Sequence, residues 1–472
     1  MRSEPRSTAS GRVGRWRELL ATARRGEPGP ATNGADRPEP TETVGHLANA
    51  GEPVGPGVPA SLWALAKTTV GVLGAPVAVP ALTAAALRTA QISRSRIEQF
   101  PDHLHALAEG RTPPLPGDRT VRLPASRRYL ITSDLHRCIA GRLDWPRRQG
   151  VKDLYARVLS GYAEDGWDLI ENGDVEDFWM VGGSTWGVVY DVAGLAELAA
   201  GRLLPGPAGP VHGEHLERIV ENNAETYRVL REGFCGDGRY HRTMGNHDDV
   251  LAGGLLGGRG LGERLVGHLP GTVVADTILL EHPGSSPADG IDGVAAVVAH
   301  GHLTDSWNGP GFALLGRAVT WMATSLDDLP RGALAAKVDG LPEETSVARL
   351  RSGRGRNRLI TVDPRYGGNR RLDSLDEERV FRRLAETEPE GGWPWLVHGH
   401  THYPMLRPHN AEGTQVRYAN SGCGVLRGAF TALEWDGSRI DDPLRLVMWT
   451  TDEGGAPQRL ELVPDGPRLR VA

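Results

Sequence analysis

Five short clusters of histidine, aspartate and asparagine residues lie between residues 134 and 402 of the sequence. They are Asp134-Leu135-His136, Gly173-Asp174-Val175-Glu176-Asp177, Gly245-Asn246-His247-Asp248, His300-Gly301-His302 and His398-Gly399-His400-Thr401-His402. Carboxylate, imidazole and amide groups are typical ligands of first-row divalent metals, and mixed ligation without thiolate suits Mn, Fe or Zn. The two-residue spacing of His400 and His402 puts both imidazoles on one face of an extended segment. A solvated-loop explanation would have to hold five times, so the ordered set predicts a metal site.

Each cluster directly follows a short apolar run of the kind that forms a buried strand. The runs are RYLITS before residue 134, WDLIEN before 173, RYHRTM before 245, VAAVVA before 300 and WPWLV before 398. Helix-compatible segments such as DLYARVLSGYAEDG separate them, and alternating strands and helices predict an α/β architecture. Because ligands gather at the carboxyl ends of strands in open α/β sheets, we expect all five clusters to lie there.

The composition divides the chain into three parts. Residues 1–60 are rich in Arg, Glu, Pro and Gly, which predicts a disordered N-terminal segment. Residues 61–126 are predicted to form a helical, apolar arm, and residues 127–472 the main domain. Two inserts interrupt that domain, over 178–213 and 303–392. The second insert contains the apolar helix candidate FALLGRAVTWMATSLDDLP and is interpreted as a helical cap over the site.

Charge and cysteine content exclude several classes of protein. The formal net charge of −6 gives no overall basic field, so no nucleic-acid partner is expected. The three cysteines are too few and too scattered for a disulfide framework, which fits a cytoplasmic location. A charge-free run over 68–87 is about long enough to cross a bilayer. It is weakly apolar and contains Pro76 and Pro80, so packing on the domain is favoured over membrane association, which remains the alternative.

The ordered set of clusters resembles the calcineurin-like metallophosphoesterase superfamily. The matching motifs are DLH at 134–136, GDVED at 173–177, GNHD at 245–248, HG at 300–301 and GHTH at 399–402, within residues 127 to about 430. The resemblance implies a four-layer sandwich, in which two mixed β-sheets are flanked by helices. It also implies an enzyme that hydrolyses a phosphate ester or a pyrophosphate bond. The motifs are farther apart than in the compact family core, and the two inserts account for the extra length.

The resemblance further implies two divalent metal ions bridged by Asp174 and a hydroxide. The first ion would be held by Asp134, His136, Asp174 and His402, and the second by Asp174, Asn246, His300 and His400. Two cations neutralise the charge of a phosphoester and acidify the attacking water, which explains the residue types. The residues do not decide among Mn, Fe and Zn.

Several neighbouring residues are assigned roles around these ligands. By resemblance His247 would donate a proton to the leaving oxygen, held by Asp177. Arg137 is a candidate to clamp a substrate phosphate oxygen, with a plain exposed arginine as the alternative. His302 is interpreted as a neighbour of the ligands or of the cap more than as a metal ligand. His398 is interpreted as a buried, satisfied histidine, with a place beside the ligands as the alternative. Asp248 is expected to stabilise its turn.

The resemblance implies that the substrate is a phosphorylated small molecule or lipid. GDVEDFW at 173–179 is similar to the corresponding motif of the UDP-diacylglucosamine diphosphatase branch, which cleaves a lipid-linked nucleotide pyrophosphate. Lipid-linked nucleotide pyrophosphate hydrolysis is therefore the alternative function. A membrane-associated or regulatory protein that retains the fold without turnover is a further alternative.

Overall fold

The computed structural model describes residues 88–117, 119–140, 150–179, 210–252, 260–305, 358–361, 379–407, 416–426, 428–439, 441–465 and 468–472, together with 144, 146, 308 and 309. The predicted disordered segment 1–60, the charge-free run 68–87 and the cap helix candidate over 312–330 lie outside the described residues, as do most of the inserts 178–213 and 303–392. Within the described part, no helix is both long and apolar enough to cross a membrane.

Two mixed sheets and six helices make up the described part of the chain, as the predicted α/β architecture requires. The helices are α1 (88–108), α2 (Lys152–Glu164), α3 (Pro210–Asn222), α4 (Ala224–Gly233), α5 (Leu261–His268) and α6 (379–386). Short 3-10 helices cover Cys235–Asp237, Asp249–Ala252, Pro287–Gly293 and His302–Thr304.

Sheet A has six strands and sheet B has nine. Sheet A contains, in spatial order, β1 (Thr120–Pro124), β6 (Thr277–Glu281), β7 (Val294–Ala299), β9 (Trp395–His398), β11 (Tyr418–Asn420) and β10 (Met405–Arg407). Sheet B contains β5 (Val274–Ala275), β4 (Tyr240–Thr243), β3 (Asp168–Asn172), β2 (Arg128–Thr132), β12 (Ala429–Asp436), β13 (Leu444–Thr451), β14 (Pro457–Asp465), β15 (Arg468–Val471) and β8 (Arg358–Thr361). Consecutive strands β12 to β15 are antiparallel and extend sheet B.

Three apolar clusters lie against the faces of the sheets. One joins the two sheets and includes Ile131 and Ile170 from sheet B with Ile278 and Val298 from sheet A. A second packs the other face of sheet B against α2, α3, α4 and α5. A third packs the other face of sheet A against α1 and α6. The arrangement is compatible with a sandwich of two sheets covered by helices.

Parallel pairing brings the predicted metal clusters to one end of each sheet. In sheet B, β2 pairs in parallel with β3, and β3 with β4. In sheet A, β7 pairs in parallel with β9, and β9 with β11. Strands β2, β3, β4, β7 and β9 are the five that precede the clusters, so their carboxyl ends deliver the clusters side by side.

The segment predicted as a helical arm, 61–126, contributes to sheet A. Helix α1 belongs to this segment. Strand β1 also belongs to it, and it pairs in parallel with β6 from Thr120 onward. The sheet therefore begins before residue 127, where the sequence analysis placed the start of the domain. Strand β1 is only half-buried at the edge of its sheet, which explains its weak apolar pattern.

Helix α1 contains a buried histidine. His103 is 2% exposed, its Nδ1 atom has no hydrogen-bond partner, and burial lowers its pKa to about 4. The unfolded chain therefore takes up this proton at a higher pH than the folded chain. Stability from this residue is fully present above the ordinary histidine pKa of 6.5 and is lost as the pH falls from 6.5 towards 4.

We predict that His103→Leu makes the protein less sensitive to acid. Between pH 7.5 and pH 5, the wild-type free energy of unfolding should fall by about 2 kcal/mol more than that of the variant. Urea denaturation at the two pH values measures this difference, and other titrating groups contribute equally to both proteins. The same pH dependence in both proteins would contradict the assignment.

Candidate metal centre

Unusual backbone conformations coincide with the predicted ligands. Five non-glycine residues in the described part of the chain have positive φ angles, between 46° and 66°. They are Asp134, His136, Asp174, His400 and His402. This left-handed region costs free energy for residues with a Cβ atom and tends to be kept at functional sites. All five belong to the ligand set that the motifs predict.

The two central carboxylates are fixed by backbone amides of other loops. His400 N donates to Asp134 Oδ2 at 2.9 Å, and His247 N donates to Asp174 Oδ1 at 2.8 Å. The loops that follow β2 and β3 also run side by side, since Asp134 N donates to the Gly173 carbonyl at 3.1 Å. Each carboxylate therefore has one oxygen held by the backbone of a distant motif.

Glycine at two motif positions allows these close approaches. A Cβ atom on Gly245 would lie 2.1 Å from Asp174 Oδ1, and one on Gly399 would lie 2.6 Å from Asp134 Oδ2. Both contacts are far inside van der Waals distance. The glycines of GNHD and GHTH are thus required by the carboxylates that pack on them.

One group of possible ligand atoms comes from Asp134, His136 and His402. Their coordinating atoms lie within 4.8 Å of one another, and all three residues are buried. His402 Nε2 is 3.1 Å from Asp134 Oδ1 and 3.1 Å from His136 Nε2. The structure thus brings together three of the four residues predicted for the first metal.

A second group contains Asp174, His300 and His400. His300 Nε2 lies 3.2 Å from Asp174 Oδ2 and 4.0 Å from Asp134 Oδ1, so it also links the two groups. The Nδ1 atom of His300 donates to the Asn172 carbonyl at 2.9 Å, which directs Nε2 towards the carboxylates. Asn246, the remaining predicted ligand, is buried and directly precedes His247, whose backbone amide holds Asp174.

The donor atoms of both groups fit divalent metal ions. Asp134 Oδ1, Asn246 Oδ1 and His300 Nε2 are buried without an aligned hydrogen-bond partner. Leaving a buried polar atom in that state costs about 1–3 kcal/mol, more for a charged group. A cation among these oxygen and nitrogen atoms removes that cost, and the mixed donor set suits first-row metals. The described residues could therefore hold metal ions, as predicted.

Electrostatics keep the carboxylates ionised. Burial alone would raise the pKa of Asp134, but His402 and His300 lower it below its ordinary value. The pKa of Asp174 is lowered further, because His300 and His247 outweigh the effect of burial. For His300, burial lowers the pKa, but Asp174 and Asp134 raise it to about 9. The carboxylates thus attract positive charge between them.

Asp177 contacts two histidines, of which the sequence analysis predicted one. Its Oδ1 atom lies 3.1 Å from His247 Nδ1, and its Oδ2 atom accepts a hydrogen bond from His136 Nδ1 at 2.9 Å. Burial would raise the pKa of Asp177, but the two histidines hold it well below its ordinary range. One ionised carboxylate therefore orients both the predicted proton donor and a predicted metal ligand.

Trp179 fixes the ring of His247 from the other side. The two rings are stacked with centroids 4.2 Å apart and an angle of 24° between their planes. Trp179 N also donates to Asp177 Oδ1 at 2.8 Å. The sequence analysis used Trp179 only as part of GDVEDFW and did not predict this contact.

Arg137 does not fit the role of a phosphate clamp. Its side chain is 3% exposed and its guanidinium pairs with Glu171, which is fully buried. Glu176 lies 3.9 Å away, and the guanidinium packs over the Tyr227 ring at 5.0 Å. Arg137 thus points into a buried ionic network, and the charge predicted to meet substrate is already neutralised there.

Asp248 stabilises its turn, as predicted. It accepts hydrogen bonds from Gly245 N at 2.6 Å and Val175 N at 3.0 Å, and from the Arg242 guanidinium at 2.6 Å. These contacts tie the GDVED and GNHD loops together. Asp248 therefore stabilises the two loops that carry the predicted ligands Asp174 and Asn246.

Three groups of possible metal ligands are found among the described residues, the third being His136, Asp177 and His247, and the neighbouring histidines His302 and His398 lie outside all of them. The His302 ring lies 5.3 Å from His300 and 6.3 Å from His400 between centroids, and burial lowers its pKa. His398 packs edge-on against Tyr418, and burial lowers its pKa to about 3. Both are neutral neighbours of the ligands at physiological pH.

Asp305 is a residue of the site that the sequence analysis missed. Its Oδ2 atom accepts a hydrogen bond from His400 Nε2 at 2.6 Å. It lies inside the segment interpreted as the second insert, and no motif includes it. Its only signal in the sequence was its position five residues after His300, beyond the end of a buried strand.

Comparison with protein-family models and with curated proteins finds no match for this chain. The donor atoms of the site, their burial and their spacing therefore carry the functional proposal. The resemblance of the motifs adds to them.

We predict that Asp174→Asn strongly weakens metal binding, because this residue is the only carboxylate of the second group and is expected to serve both ions. Elemental analysis after dialysis measures the bound metal, and circular dichroism checks the fold. Asp237→Asn, which changes an exposed carboxylate in a distant 3-10 helix, is the matched control and should bind like wild type. Two tightly held ions in Asp174→Asn would refute the bridging assignment.

Proposed function

We propose that this protein is a metal-dependent phosphoesterase that hydrolyses a phosphate ester or a pyrophosphate bond at a dinuclear centre. The observation that carries the proposal is the meeting of two buried Asp/His groups, joined where His300 Nε2 lies 3.2 Å from Asp174 and 4.0 Å from Asp134. Beside them lies His247, which contacts Asp177 and belongs to neither of these two groups, although it forms a third group of possible ligand atoms with Asp177 and His136. The proposal includes the four-layer metallophosphoesterase sandwich, with a cap formed by the second insert.

Seven residues would hold the two ions. Asp134, His136 and His402 would bind the first, Asn246, His300 and His400 the second, and Asp174 would be shared between them. When bound, the ions would neutralise the charge of the phosphate group and acidify the attacking water. The chain contributes rigidity, because backbone amides hold one oxygen of each carboxylate and the Asn172 carbonyl orients His300.

The role proposed for His247 is to protonate the leaving oxygen. The ionised carboxylate of Asp177 faces Nδ1 and stabilises the protonated imidazole, which leaves Nε2 as the nitrogen that can transfer a proton. Stacking on Trp179 fixes the plane of the ring and excludes water from that face. His247 thus has the geometry of an oriented general acid.

A substrate screen tests the proposed activity. Nitrophenyl phosphate, bis-nitrophenyl phosphate and nucleotide-diphosphate esters, including lipid-linked ones, should be compared with added Mn²⁺. Turnover of one class identifies a monoesterase, a diesterase or a pyrophosphatase, and turnover of the lipid-linked esters alone supports the alternative function. A protein that binds two ions and turns over none of these substrates would support the non-catalytic alternative instead.

We predict that His247→Asn lowers turnover by about 10²–10⁴-fold, the range expected for the loss of a positioned proton donor. Metal content should remain near that of wild type. The loss should be smallest for a nitrophenyl ester, whose leaving group departs without a proton, and largest for an alkyl ester. His268→Asn, a more exposed histidine on α5, is the control. Equal losses on both esters would remove His247 from this role.

Asp177→Asn is predicted to combine two smaller defects. Turnover should fall with the same leaving-group dependence, because the variant no longer stabilises the protonated His247. Metal affinity should also fall, because His136 loses its ionised partner, and such partners are worth about 10–100-fold. Kinetics on the two esters together with a metal titration separate the defects. Unchanged metal affinity would show that His136 does not depend on Asp177.

A further inference from the structure

A carboxylate orients His400 from outside the motif set. Asp305 is 6% exposed and accepts the proton of His400 Nε2 at 2.6 Å, which leaves Nδ1 as the nitrogen available to a metal. The other oxygen of Asp305 accepts a hydrogen bond from Asn308 N at 3.0 Å. Carboxylates placed in this way fix the tautomer and direction of a ligating imidazole.

Helix α1 holds the segment that carries Asp305. Ser93 Oγ donates to the Thr304 carbonyl at 2.7 Å, in a buried contact between residues 211 positions apart. Arg96 Nη1 donates to the Leu303 carbonyl at 3.1 Å. These two side chains bind the two carbonyl groups that immediately precede Asp305.

Close packing at Gly309 tightens the same contact. A Cβ atom there would lie 2.6 Å from the Asp305 carbonyl oxygen and 2.8 Å from Arg96 Nη1. The rest of α1 is fixed to sheet A, since Phe100 and Leu104 pack in the same apolar cluster as Leu279. The helix is therefore a rigid support, and the segment that carries Asp305 lies directly on it.

We propose that Asp305 is a positioning residue for the second metal ion, and that α1 sets its position through Ser93 and Arg96. The proposal deepens the proposed function and rests on its two-metal centre. It makes a helix that precedes every motif part of the metal site. The path runs from α1 through the Leu303 and Thr304 carbonyls to Asp305, and from there to His400.

A Mn²⁺ titration of the metal-free full chain tests this path, with free Mn²⁺ counted by electron paramagnetic resonance. In Asp305→Ala one of the two binding steps should weaken by about 10–100-fold, while the other stays within about twofold of wild type. Asp305→Asn should lose less, because its amide oxygen still accepts the His400 proton. Ser93→Ala and Arg96→Ala should weaken the same step by about three- to tenfold.

Matched variants and unfolding data separate positioning from general structure. Ser95→Ala and Arg94→Ala change exposed residues of the same helix and should bind both ions like wild type. In the presence of chelator, the thermal unfolding temperature of Asp305→Asn should be similar to that of wild type. If Asp305 had a purely structural role, the substitution would lower this temperature and weaken both metal-binding steps.

The outcomes distinguish the inference from the function on which it rests. Wild-type binding of both ions with unchanged steps in Asp305→Ala and Asp305→Asn overturns the role of Asp305. A defect in Asp305→Ala with none in Ser93→Ala and Arg96→Ala overturns the role of α1. Fewer than two ions in the wild-type protein refutes the two-metal function and this inference with it.

Discussion

The burial of Asp134 and Asp174 at the meeting point of the two sheets is the constraint on which the site depends. Removing an ionised carboxylate from water is costly unless positive charge and hydrogen-bond donors replace the lost solvent. Here the donors are the backbone amides of His400 and His247, and the positive partners are histidines. The positive φ angles, and the absence of a Cβ atom at Gly245 and Gly399, allow these partners to reach hydrogen-bond distance of the carboxylates.

A buried ionic network supports these loops from the side of sheet B. Arg242 is fully buried and pairs with Glu176 and Asp248, while Arg137 pairs with Glu171. Tyrosine hydroxyls of α2, α4 and β4 donate to the same carboxylates. Removing one member of such a network leaves an uncompensated buried charge, which costs more than the net value of the pair. The network therefore holds the GDVED and GNHD loops in a fixed position.

The sequence predicted the strands and the ligand groups because both have local signals. Apolar runs mark β2, β7 and β9, shorter mixed runs mark β3 and β4, and each strand is followed by its cluster. Contacts that depend on tertiary structure had no such signal. Asp305 meets His400 across 95 residues, and the direction of Arg137 is set by its backbone pairing with Glu176. Strand β1 was missed because an edge strand buries too little to show a clear pattern.

The order of strands in sheet B has a consequence for synthesis of the protein. Strand β2 lies between β3 and β12, so its second neighbour belongs to the last part of the chain. At roughly 5–20 residues per second, the ribosome needs about 15–60 s to extend the chain from β2 to β12. During that interval β2 exposes an unpaired apolar edge on the nascent polypeptide. Chaperone binding to this edge during translation would protect the half-built sheet from aggregation.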